Sequence, residues 1–456
     1  MKRKRIGVLT AGGDTPALNA TIFGIVEAAN RLEIEVIGLP RGYASLLDDR
    51  VPSVLLNPLL QMIPEVDPCQ GGTILGSSRT YIDPDSRDMD RSRRNLDRLQ
   101  LDGLICIGGD GTVNAMQQLT EVTTCVLAPK TIDNDLGLNY TSEPLDWVYS
   151  DNDRVPMLNP SRDTVCLNDI VNYATPGFAT AVFVVVQSID RIRTTAESHR
   201  RVAVVEVMGR KSGYIAAGSA YAQPDVILIP EVPVDLDRLA ERIRRVYEVQ
   251  HHAVIVAGEG VRLADGTELG AGTKTNDPSG NIRYSGAADA LAALLQDRLP
   301  DALFERIRHG EPVGSAFFTR KIGHTQRGGR PVRFDRFYGT MIGGKAVDLV
   351  VAGDSNQLPV LQFSTDTGFE LDAFPASRLR DTNGEIHART LHASLYDREQ
   401  FRLTGLGRDY LQPIFADAIG WEDVEFIRNE TFRAGRLNTQ YHSVVTDLRH
   451  RQTMTE

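Results

Sequence analysis

Short apolar segments rich in β-branched residues alternate with longer amphipathic segments over most of the chain, and this alternation constrains the fold more than any other feature. The first block has predicted strands at 6–10, 35–39, 103–107 and 125–128, and helices at 17–32 and 112–119. The second block, from about residue 179, has predicted strands at 202–207, 226–229 and 253–257, and helices at 236–249 and 286–299. Strands that alternate with helices form parallel sheets covered on both faces. We therefore predict an α/β fold of two Rossmann-like lobes whose parallel sheets are flanked by helices.

The length of 456 residues also favours two lobes, because one ordinary core does not grow to this size. The predicted domains are a first lobe over 1–175 that is completed by about 326–385, a second lobe over 176–325, and a C-terminal extension over 386–456. Residues 143–172 have no clear period and indicate an insertion or loop, and the glycine-rich stretch 262–285 indicates a loop or hairpin. The alternation is lost after about residue 354, so this tail either covers a lobe or forms an oligomer contact.

Composition excludes several classes of partner. Hydrophobic content of 41% and charged content of 24% are those of a globular protein, and the net charge of −10 disfavours nucleic acid or an anionic membrane as a general partner. No apolar stretch resembles a signal peptide or a membrane span, so we expect a cytoplasmic protein. Four cysteines have no metal-ligand spacing and are expected to be reduced thiols; they are Cys69, Cys106, Cys125 and Cys166.

The tripeptide Gly-Gly-Asp follows two of the predicted strands, at residues 12–14 and 108–110. Glycine allows backbone N–H groups to approach a phosphate, and the helix N-terminus that follows favours negative charge. Ligands of open α/β sheets bind at the carboxyl ends of the strands, where both tripeptides lie. The alternative is a tight turn that binds nothing, and the repetition in one sheet favours the phosphate-binding interpretation.

A second signal is the segment Pro129–Asp135, which places two carboxylates near a hydroxyl and an ammonium group. Carboxylates can hold Mg²⁺ or accept a proton, and with the glycine turns they supply what phosphoryl transfer to a hydroxyl requires. The alternative is that Asp133 and Asp135 cap the next helix, as Asp110 can also do, and capping and catalysis can coexist. The residues favour a kinase of a small metabolite.

Four motifs together resemble the phosphofructokinase family, in that family's order. They are Gly108–Thr112, Thr131–Asp135, Glu206–Arg210 and Gly323–Gly329. The first alone is weak evidence, since NAD kinases and diacylglycerol kinases have a similar motif, and the others separate the families. The likeness runs from about residue 6 to about residue 353, interrupted near 143–172.

The resemblance implies that the γ-phosphoryl group of ATP is transferred to the 1-hydroxyl of fructose 6-phosphate in a cleft between the lobes. It implies a donor lobe over the first domain and a sugar-phosphate lobe over the second. The donor residues that it implies are Gly13, Tyr43, Arg79, Gly109, Gly111, Thr112 and Lys130. Asp110 is implied as the Mg²⁺ residue, with Asp135 acting through water.

The resemblance also implies the catalytic and sugar-binding residues. The catalytic set is Asp133 as general base, Thr131 at the transferring phosphoryl group, Arg79 between donor and acceptor phosphates, and Arg210. The substrate-binding set is Thr131, Asp133, Asp135, Arg201, Met208, Gly209, Arg210, Glu259, His324 and Arg327. Glu259 would accept sugar hydroxyls, while His324 and Arg327 would bind the 6-phosphate. Taken alone, Arg79 could be a solvated arginine and His324 a structural histidine.

Arg201 matches an arginine that the family extends across a subunit interface, so the resemblance implies a homodimer or homotetramer with shared active sites. A second arginine of this kind is replaced here by Phe318. Arg320 lies two residues further on, and an even offset in a strand keeps the same face. Arg320 could therefore substitute for the missing arginine.

Two positions bear on the phosphoryl donor and point in different directions. Pyrophosphate-using relatives typically have Asp where this chain has Gly111, and that carboxylate blocks a nucleotide. The same relatives typically have Lys at the position of Lys130, as this chain does. Steric exclusion is the harder constraint, so ATP is favoured, and a pyrophosphate-dependent enzyme or one that also uses sedoheptulose 7-phosphate is the alternative.

A non-catalytic regulatory subunit that binds a sugar phosphate is a further alternative. Such a chain should have lost a base, a metal ligand or a donor glycine. The corresponding residues are all present here: Asp110, Gly111, Asp133, Asp135 and Arg210. The sequence therefore favours an active enzyme.

Overall fold

The structure is a computed structural model that describes residues 3–80, 82–83, 87–149, 156–270, 284–309 and 312–454. The strands within these ranges are β1 Arg5–Thr10, β2 Glu35–Leu39, β3 Ser53–Leu55, β4 Gly103–Gly108, β5 Cys125–Pro129, β6 Trp147–Val148, β7 Met157–Leu158, β8 Val202–Val207, β9 Val226–Leu228, β10 Ala253–Gly258, β11 Phe317–Lys321, β12 Gln357–Ser364, β13 Gly368–Pro375, β14 Tyr396–Asp397, β15 Arg402–Leu403 and β16 Gln452–Thr453. The α-helices are α1 Leu18–Arg31, α2 Ala44–Leu47, α3 Asp88–Leu99, α4 Asp110–Leu119, α5 Phe178–Ser198, α6 Tyr214–Gly218, α7 Leu236–Gln250, α8 Ala287–Arg298, α9 Asp301–Arg308, α10 Arg333–Ala352, α11 Gly405–Phe415, α12 Trp421–Glu425 and α13 Val444–His450.

Two sheets organise the described residues into two lobes. The first sheet has the strand order β13-β12-β5-β4-β1-β2-β3-β16, and its five strands from β12 to β2 are parallel. Both edges of this sheet are antiparallel. At one edge β13 pairs with β12, and at the other β3 pairs with β2 and β16 pairs with β3. The second sheet, β11-β8-β10-β9, is parallel throughout. The predicted α/β class with parallel sheets is confirmed.

Alternate residues of the strands enter different cores, as expected for sheets covered on both faces. In the first sheet, Val8 packs with α1 and α10, whereas Leu9 packs with α3 and α4. In the second sheet, Val205 packs with α5, α6 and α11, whereas Val204 packs with α7, α8 and α9. Each lobe is therefore a helix–sheet–helix sandwich with its strand ends free to form loops.

The prediction that alternation ends after about residue 354 misses two strands. β12 and β13 form a hairpin that extends the first sheet. Pro359 lies inside β12, and proline within an apolar run argues against a strand because it has no N–H to donate. The strand is tolerated because the described pairing of β12 with β5 is confined to Gln357 and Val126. The end of the chain returns to the same sheet, where β16 pairs with β3.

The two predicted irregular regions are only partly described. Within residues 143–172, β6 and β7 form a short antiparallel pair, and residues 150–155 lie outside the described ranges. Within residues 262–285, Arg262 pairs with Glu268 in an isolated bridge, and residues 271–283 lie outside the described ranges.

A close crossing of α1 and α10 holds the first lobe together and gives a stability prediction. A Cβ atom at Gly24 would lie 1.9 Å from the backbone oxygen of Thr340. We expect Gly24→Ala to lower the free energy of unfolding by about 1–3 kcal/mol, because the two helices must separate. The measurement is chemical denaturation of the variant and the native protein.

Gly344→Ala is the matched control on α10, since its added Cβ would only touch Ala28 at 3.8 Å. This variant should match or slightly exceed the native stability, because alanine is the better helix former. Equal stability of the two variants would contradict the close crossing.

Candidate active site

The two Gly-Gly-Asp turns lie side by side because β1 and β4 are adjacent parallel strands. Thr10 is in register with Ile107, and the Ala11 N–H donates to the Ile107 carbonyl at 2.9 Å. Helix α4 begins at Asp110, directly after the second turn. The first backbone N–H groups of a helix lack partners within the helix and favour an anion. The carboxyl end of the first sheet is thus suited to phosphate.

A third segment borders the first turn. The Ser77 hydroxyl donates to the Gly12 carbonyl at 2.7 Å, and the Gly12 N–H donates to the Ser78 carbonyl at 3.1 Å. Arg79 follows directly and is exposed. The structure therefore places the predicted bridging arginine at the rim of the phosphate loops.

Space for a ligand is available at the second turn. A Cβ atom at Gly111 would meet no described atom within 4 Å, and one at Gly109 would lie 3.6 Å from the Lys130 carbonyl oxygen. Gly111 lies in the first turn of α4, so this open volume borders the helix N-terminus. An aspartate in this position would project its charge into that volume.

Two cations converge on the first turn. The Lys130 ammonium group donates to the Gly13 carbonyl, and burial together with the charge of Arg327 lowers the pKa of Lys130 to about 7. The Arg327 guanidinium donates to the Asp14 carbonyl at 3.4 Å, and its Nη1 lies 2.8 Å from where a Cβ of Gly13 would be. Bringing two cations together costs free energy, which a bound polyanion would offset.

The segment after β5 forms a tight turn that carries two buried carboxylates. The Asp133 N–H donates to the Thr131 hydroxyl at 3.1 Å, and Asn134 has a left-handed φ of 56°. Asp133 is only 2% exposed, and its Oδ1 has no hydrogen-bond partner among the described residues. A buried carboxylate oxygen without a partner is costly and is typical of functional sites.

Asp135 carries the second carboxylate, close to Asp133 and Asp110. Burial, followed by repulsion from Asp133 and then Asp110, raises the pKa of Asp135 to about 7. Its Oδ1 also lacks a partner among the described residues. A divalent cation would offset this repulsion, so the three carboxylates fit Mg²⁺ electrostatically.

The number of protein ligands bears on how such an ion would be held. In the described part of the chain, no three His, Cys, Asp or Glu side chains form a metal-binding group. Mg²⁺ usually takes one or two protein carboxylates and completes its shell with water and substrate phosphates. The arrangement is compatible with Asp110 as the protein ligand.

The second lobe contributes the loop after β8, which faces Asp133. Gly209 has a φ of 139°, and a Cβ there would lie 2.5 Å from the Ser212 carbonyl oxygen, so glycine is needed. Arg210 follows with a left-handed φ of 50°, and its Nε lies 3.8 Å from Asp133 Oδ2. The Ser212 hydroxyl also donates to the Asp133 carbonyl at 3.4 Å. The loop therefore joins the two lobes at Asp133.

Glu259 completes this side of the cleft after β10. Its Oε1 accepts the Arg210 N–H at 3.1 Å. Burial, followed by repulsion from Asp133, raises the pKa of Glu259 to about 7. Protonated Glu259 can donate a hydrogen bond and ionised Glu259 can only accept one, so both forms suit contacts with hydroxyl groups.

Three predicted site residues have side-chain surroundings that the sequence does not show. Tyr43 is buried in the core formed with α3 and α4, where its hydroxyl donates to the Thr112 carbonyl at 3.0 Å. The Thr112 side chain is buried next to both glycine turns, with its hydroxyl oxygen near Gly12 and Gly108. The Arg327 guanidinium contacts the donor loop at Asp14, and its binding to the 6-phosphate stays a prediction.

The remaining predicted residues fall into two groups. Met208 directly follows β8 and is partly buried, and His324 lies exposed in a short turn after β11. Arg201 directly precedes β8 at its other end, about 23 Å from Met208 over seven residue steps of strand. Arg201 therefore cannot reach the cleft of its own chain.

Phe318, which replaces the second expected arginine, lies close to Arg320. Phe318 and Arg320 lie on the same face of β11, as the even offset predicts, and the Arg320 guanidinium lies 5.7 Å from the Phe318 ring centre. Arg320 is exposed, so its charge remains accessible from outside the chain.

Sequence reasoning missed Arg389, which is 2% exposed and donates to the Asn134 carbonyl at 2.7 Å. It lies in the extension over 386–456, to which the sequence assigned no role. A single arginine in a polar segment gives no local signal, because its partners are more than 200 positions away.

The family follows from a direct comparison. The sequence model of the family described as phosphofructokinase matches residues 5–142 and 165–350, which is most of the chain, and its gap at 143–164 covers most of the predicted insertion at 143–172. The chain belongs to the phosphofructokinase family. It is therefore a phosphotransferase, as the motifs and the cleft indicate.

Relatives named for pyrophosphate and relatives named for ATP have similar sequence identity to this chain. A protein of Dictyoglomus thermophilum named pyrophosphate--fructose 6-phosphate 1-phosphotransferase is 38% identical over 361 residues, covering 78% of this chain and 88% of the relative. ATP-dependent 6-phosphofructokinase 2 of Streptomyces coelicolor is 36% identical over 362 residues, covering 78% and 91%. Overall identity therefore does not separate the two donors.

Solved structures support the fold alone, at low identity. The pyrophosphate-dependent phosphofructokinase of Marinobacter aquaeolei superposes with a TM-score of 0.67 at 20% identity, covering 91% of this chain and 92% of that one. The corresponding protein of Nitrosospira multiformis gives a TM-score of 0.69 at 19% identity with the same coverage. None of the described helices has the length and apolarity needed to span a membrane.

Proposed function

We propose that the chain is an ATP-dependent 6-phosphofructokinase that converts fructose 6-phosphate to fructose 1,6-bisphosphate. The observation that carries the proposal is Asp133, a buried carboxylate with an unpartnered oxygen that faces Arg210 across the cleft. The two Gly-Gly-Asp turns lie at the same, carboxyl end of the first sheet as Asp133, because β1, β4 and β5 are parallel neighbours. A base next to a donor site and a sugar loop is what transfer to an alcohol requires.

In the proposed reaction, the oxygen of the 1-hydroxyl forms a bond to the γ-phosphorus as the bond to the leaving oxygen of ADP breaks. Asp133 accepts the hydroxyl proton, for which its unpartnered Oδ1 is suited. Arg210 and Lys130 supply positive charge on the two sides of the transferring group. Thr131 and Arg79 are proposed to contact the phosphoryl group from the catalytic turn and the loop rim.

Asp110 would hold Mg²⁺ in this proposal, with Asp135 close enough to act through water. When bound, the ion would offset charge on the donor phosphates. Burial, followed by repulsion from Asp133 and Asp110, raises the pKa of Asp135, and a bound cation would offset that repulsion.

The choice of ATP rests on space at Gly111. A Cβ atom at Gly111 would meet no atom of the described residues within 4 Å, so this space can take a nucleotide. Pyrophosphate is the second candidate donor, because Lys130 occupies the donor loop and a relative at 38% identity bears the pyrophosphate name. Sedoheptulose 7-phosphate is a second candidate acceptor, and a silent regulatory subunit is disfavoured by the complete set of carboxylates.

We also propose that the active enzyme is a homodimer or homotetramer with shared sites. Arg201 cannot reach its own cleft, and Arg320 is exposed on β11. In this proposal, Arg201 and Arg320 would contact the sugar phosphate of a neighbouring copy, and His324 would contribute from the same chain as the cleft.

The proposed function is tested by ³¹P NMR of a reaction that contains the protein, Mg²⁺, ATP and fructose 6-phosphate. The expected result is ADP together with a second phosphate on carbon 1 of the sugar, and sedoheptulose 7-phosphate in a parallel reaction measures acceptor breadth. Unchanged ATP and sugar phosphate would contradict the proposal.

A further inference from the structure

The C-terminal segment Arg389–Leu391 forms hydrogen bonds to the turn that carries Asp133 and Asp135, and to Glu231, which anchors the loop of the second lobe. The Arg389 guanidinium is almost completely buried, which is expensive for a cation unless its N–H groups are used. Its Nε and Nη2 donate to the Asn134 carbonyl at 3.2 and 2.7 Å, and Nη1 donates to the Asn172 carbonyl at 2.7 Å. The backbone N–H of the same residue donates to the Asp135 carbonyl at 2.6 Å.

These hydrogen bonds are formed with the turn that carries the carboxylates of Asp133 and Asp135. Asn134, with its left-handed φ of 56°, separates Asp133 from Asp135. A non-glycine residue in this conformation persists only when its surroundings hold it. Arg389 holds the carbonyl groups of both Asn134 and Asp135, so it fixes the direction in which the carboxylates leave the turn.

The same segment also holds the loop of the second lobe. The Leu391 N–H donates to Glu231 Oε1 at 2.6 Å, and this oxygen also accepts the Gly213 N–H at 2.8 Å. Gly213 ends the loop that carries Arg210. Between the two anchors, the Thr390 carbonyl accepts a hydrogen bond from the Asn139 amide at 3.0 Å.

Packing adds to the restraint on the guanidinium. Its carbon lies 4.8 Å from the ring centre of Tyr214, the first residue of α6. A cation over an aromatic face is attracted by it, most strongly when both are buried. The group is thus fixed by both lobes.

We propose that Arg389 is a positioning residue that sets the geometry of Asp133 and Asp135 relative to Arg210. This inference rests on the proposed function and adds a role for the C-terminal extension. The residue does not touch substrate, so its loss should affect the reaction step more than binding. A displacement of about 1 Å at a reacting group can lower a rate by about 10²-fold.

The test compares Arg389→Met with the matched control Arg193→Met. Arg193 on α5 also donates to two backbone carbonyls, those of Ala222 and Gln223, at 2.7 and 2.6 Å. We expect Arg389→Met to lower kcat by about 10²-fold while both KM values change by less than about threefold. Arg193→Met should keep the native kcat.

Hydrogen–deuterium exchange provides a readout that does not require turnover. Peptides covering 130–136 and 208–214 should exchange faster in Arg389→Met than in the native protein or in Arg193→Met, because their anchors are lost. If the native protein has no activity with either donor, the proposed function fails and exchange alone decides the role of Arg389.

Arg389→Lys decides the case if the methionine variant does not fold. Lysine keeps the charge but cannot span two carbonyl groups with a rigid fork, so kcat should fall by about tenfold at unchanged KM. A native kcat in a folded Arg389 variant, or native exchange in both peptides, would overturn the proposal.

Discussion

Asp133→Asn is expected to lower kcat by roughly 10²–10⁴-fold, the range for loss of a general base. The amide has nearly the shape of the carboxylate, so the turn is retained, but it cannot accept the proton of the sugar hydroxyl. Since Asp133 Oδ1 has no partner among the described residues, the substitution breaks no hydrogen bond of that atom. The KM for fructose 6-phosphate should change much less than kcat. Steady-state kinetics of folded protein provide the measurement.

The matched control is Asp335→Asn. Asp335 is also fully buried, and its Oδ1 has no partner among the described residues, but its other oxygen accepts bonds from the N–H and hydroxyl of Thr180, at 2.7 and 2.6 Å. Burial raises the pKa of Asp335 to about 6. This variant should retain the native kcat when folded. Full turnover by Asp133→Asn would show that another group takes the proton.

Gly111→Asp is expected to lower kcat/KM for ATP on the order of 10²-fold, with a much smaller change for pyrophosphate. The structure leaves room for the new side chain, and an acid in the first turn of α4 is favourable for the helix. The fold should therefore be unaffected. The loss arises because the carboxylate repels the nucleotide phosphates, and like charges brought together at an interface cost several kcal/mol.

Gly111→Asn separates charge from bulk, because the two side chains have nearly the same size. We expect the asparagine variant to retain most of its ATP activity. If aspartate and asparagine reduce ATP use equally, volume rather than charge excludes the nucleotide. If neither variant affects ATP use, the donor does not occupy the space beside Gly111, and that part of the account is wrong.

Local patterns predicted the parts of the fold that local physics determines. The strands at 35–39 and 202–207 were predicted with their observed bounds, and α4 starts two residues before its predicted start. These predictions succeed because a short apolar run bounded by glycine or charged residues is typical of a buried strand in a covered parallel sheet. β12 was missed because Pro359 obscures its pattern, and whether it forms depends on the partner strand β13.

Within the site, the sequence indicated which residues lie near one another better than it indicated where their side chains point. Asp133 and Arg210 meet across the cleft as the motifs imply. The burial of Tyr43 and the turn of Arg327 toward Asp14 depend on packing between distant segments, which no motif encodes. Arg389 shows the same limit, because its role comes from contacts rather than from any neighbouring residue.

The most direct test of the central claim is the ratio of kcat/KM for ATP to that for pyrophosphate, measured on the native protein with Mg²⁺ and fructose 6-phosphate. The open space beside Gly111 predicts that ATP is the better donor by at least about tenfold, or about 1.4 kcal/mol in transition-state stabilisation. Turnover with pyrophosphate and none with ATP would contradict the account.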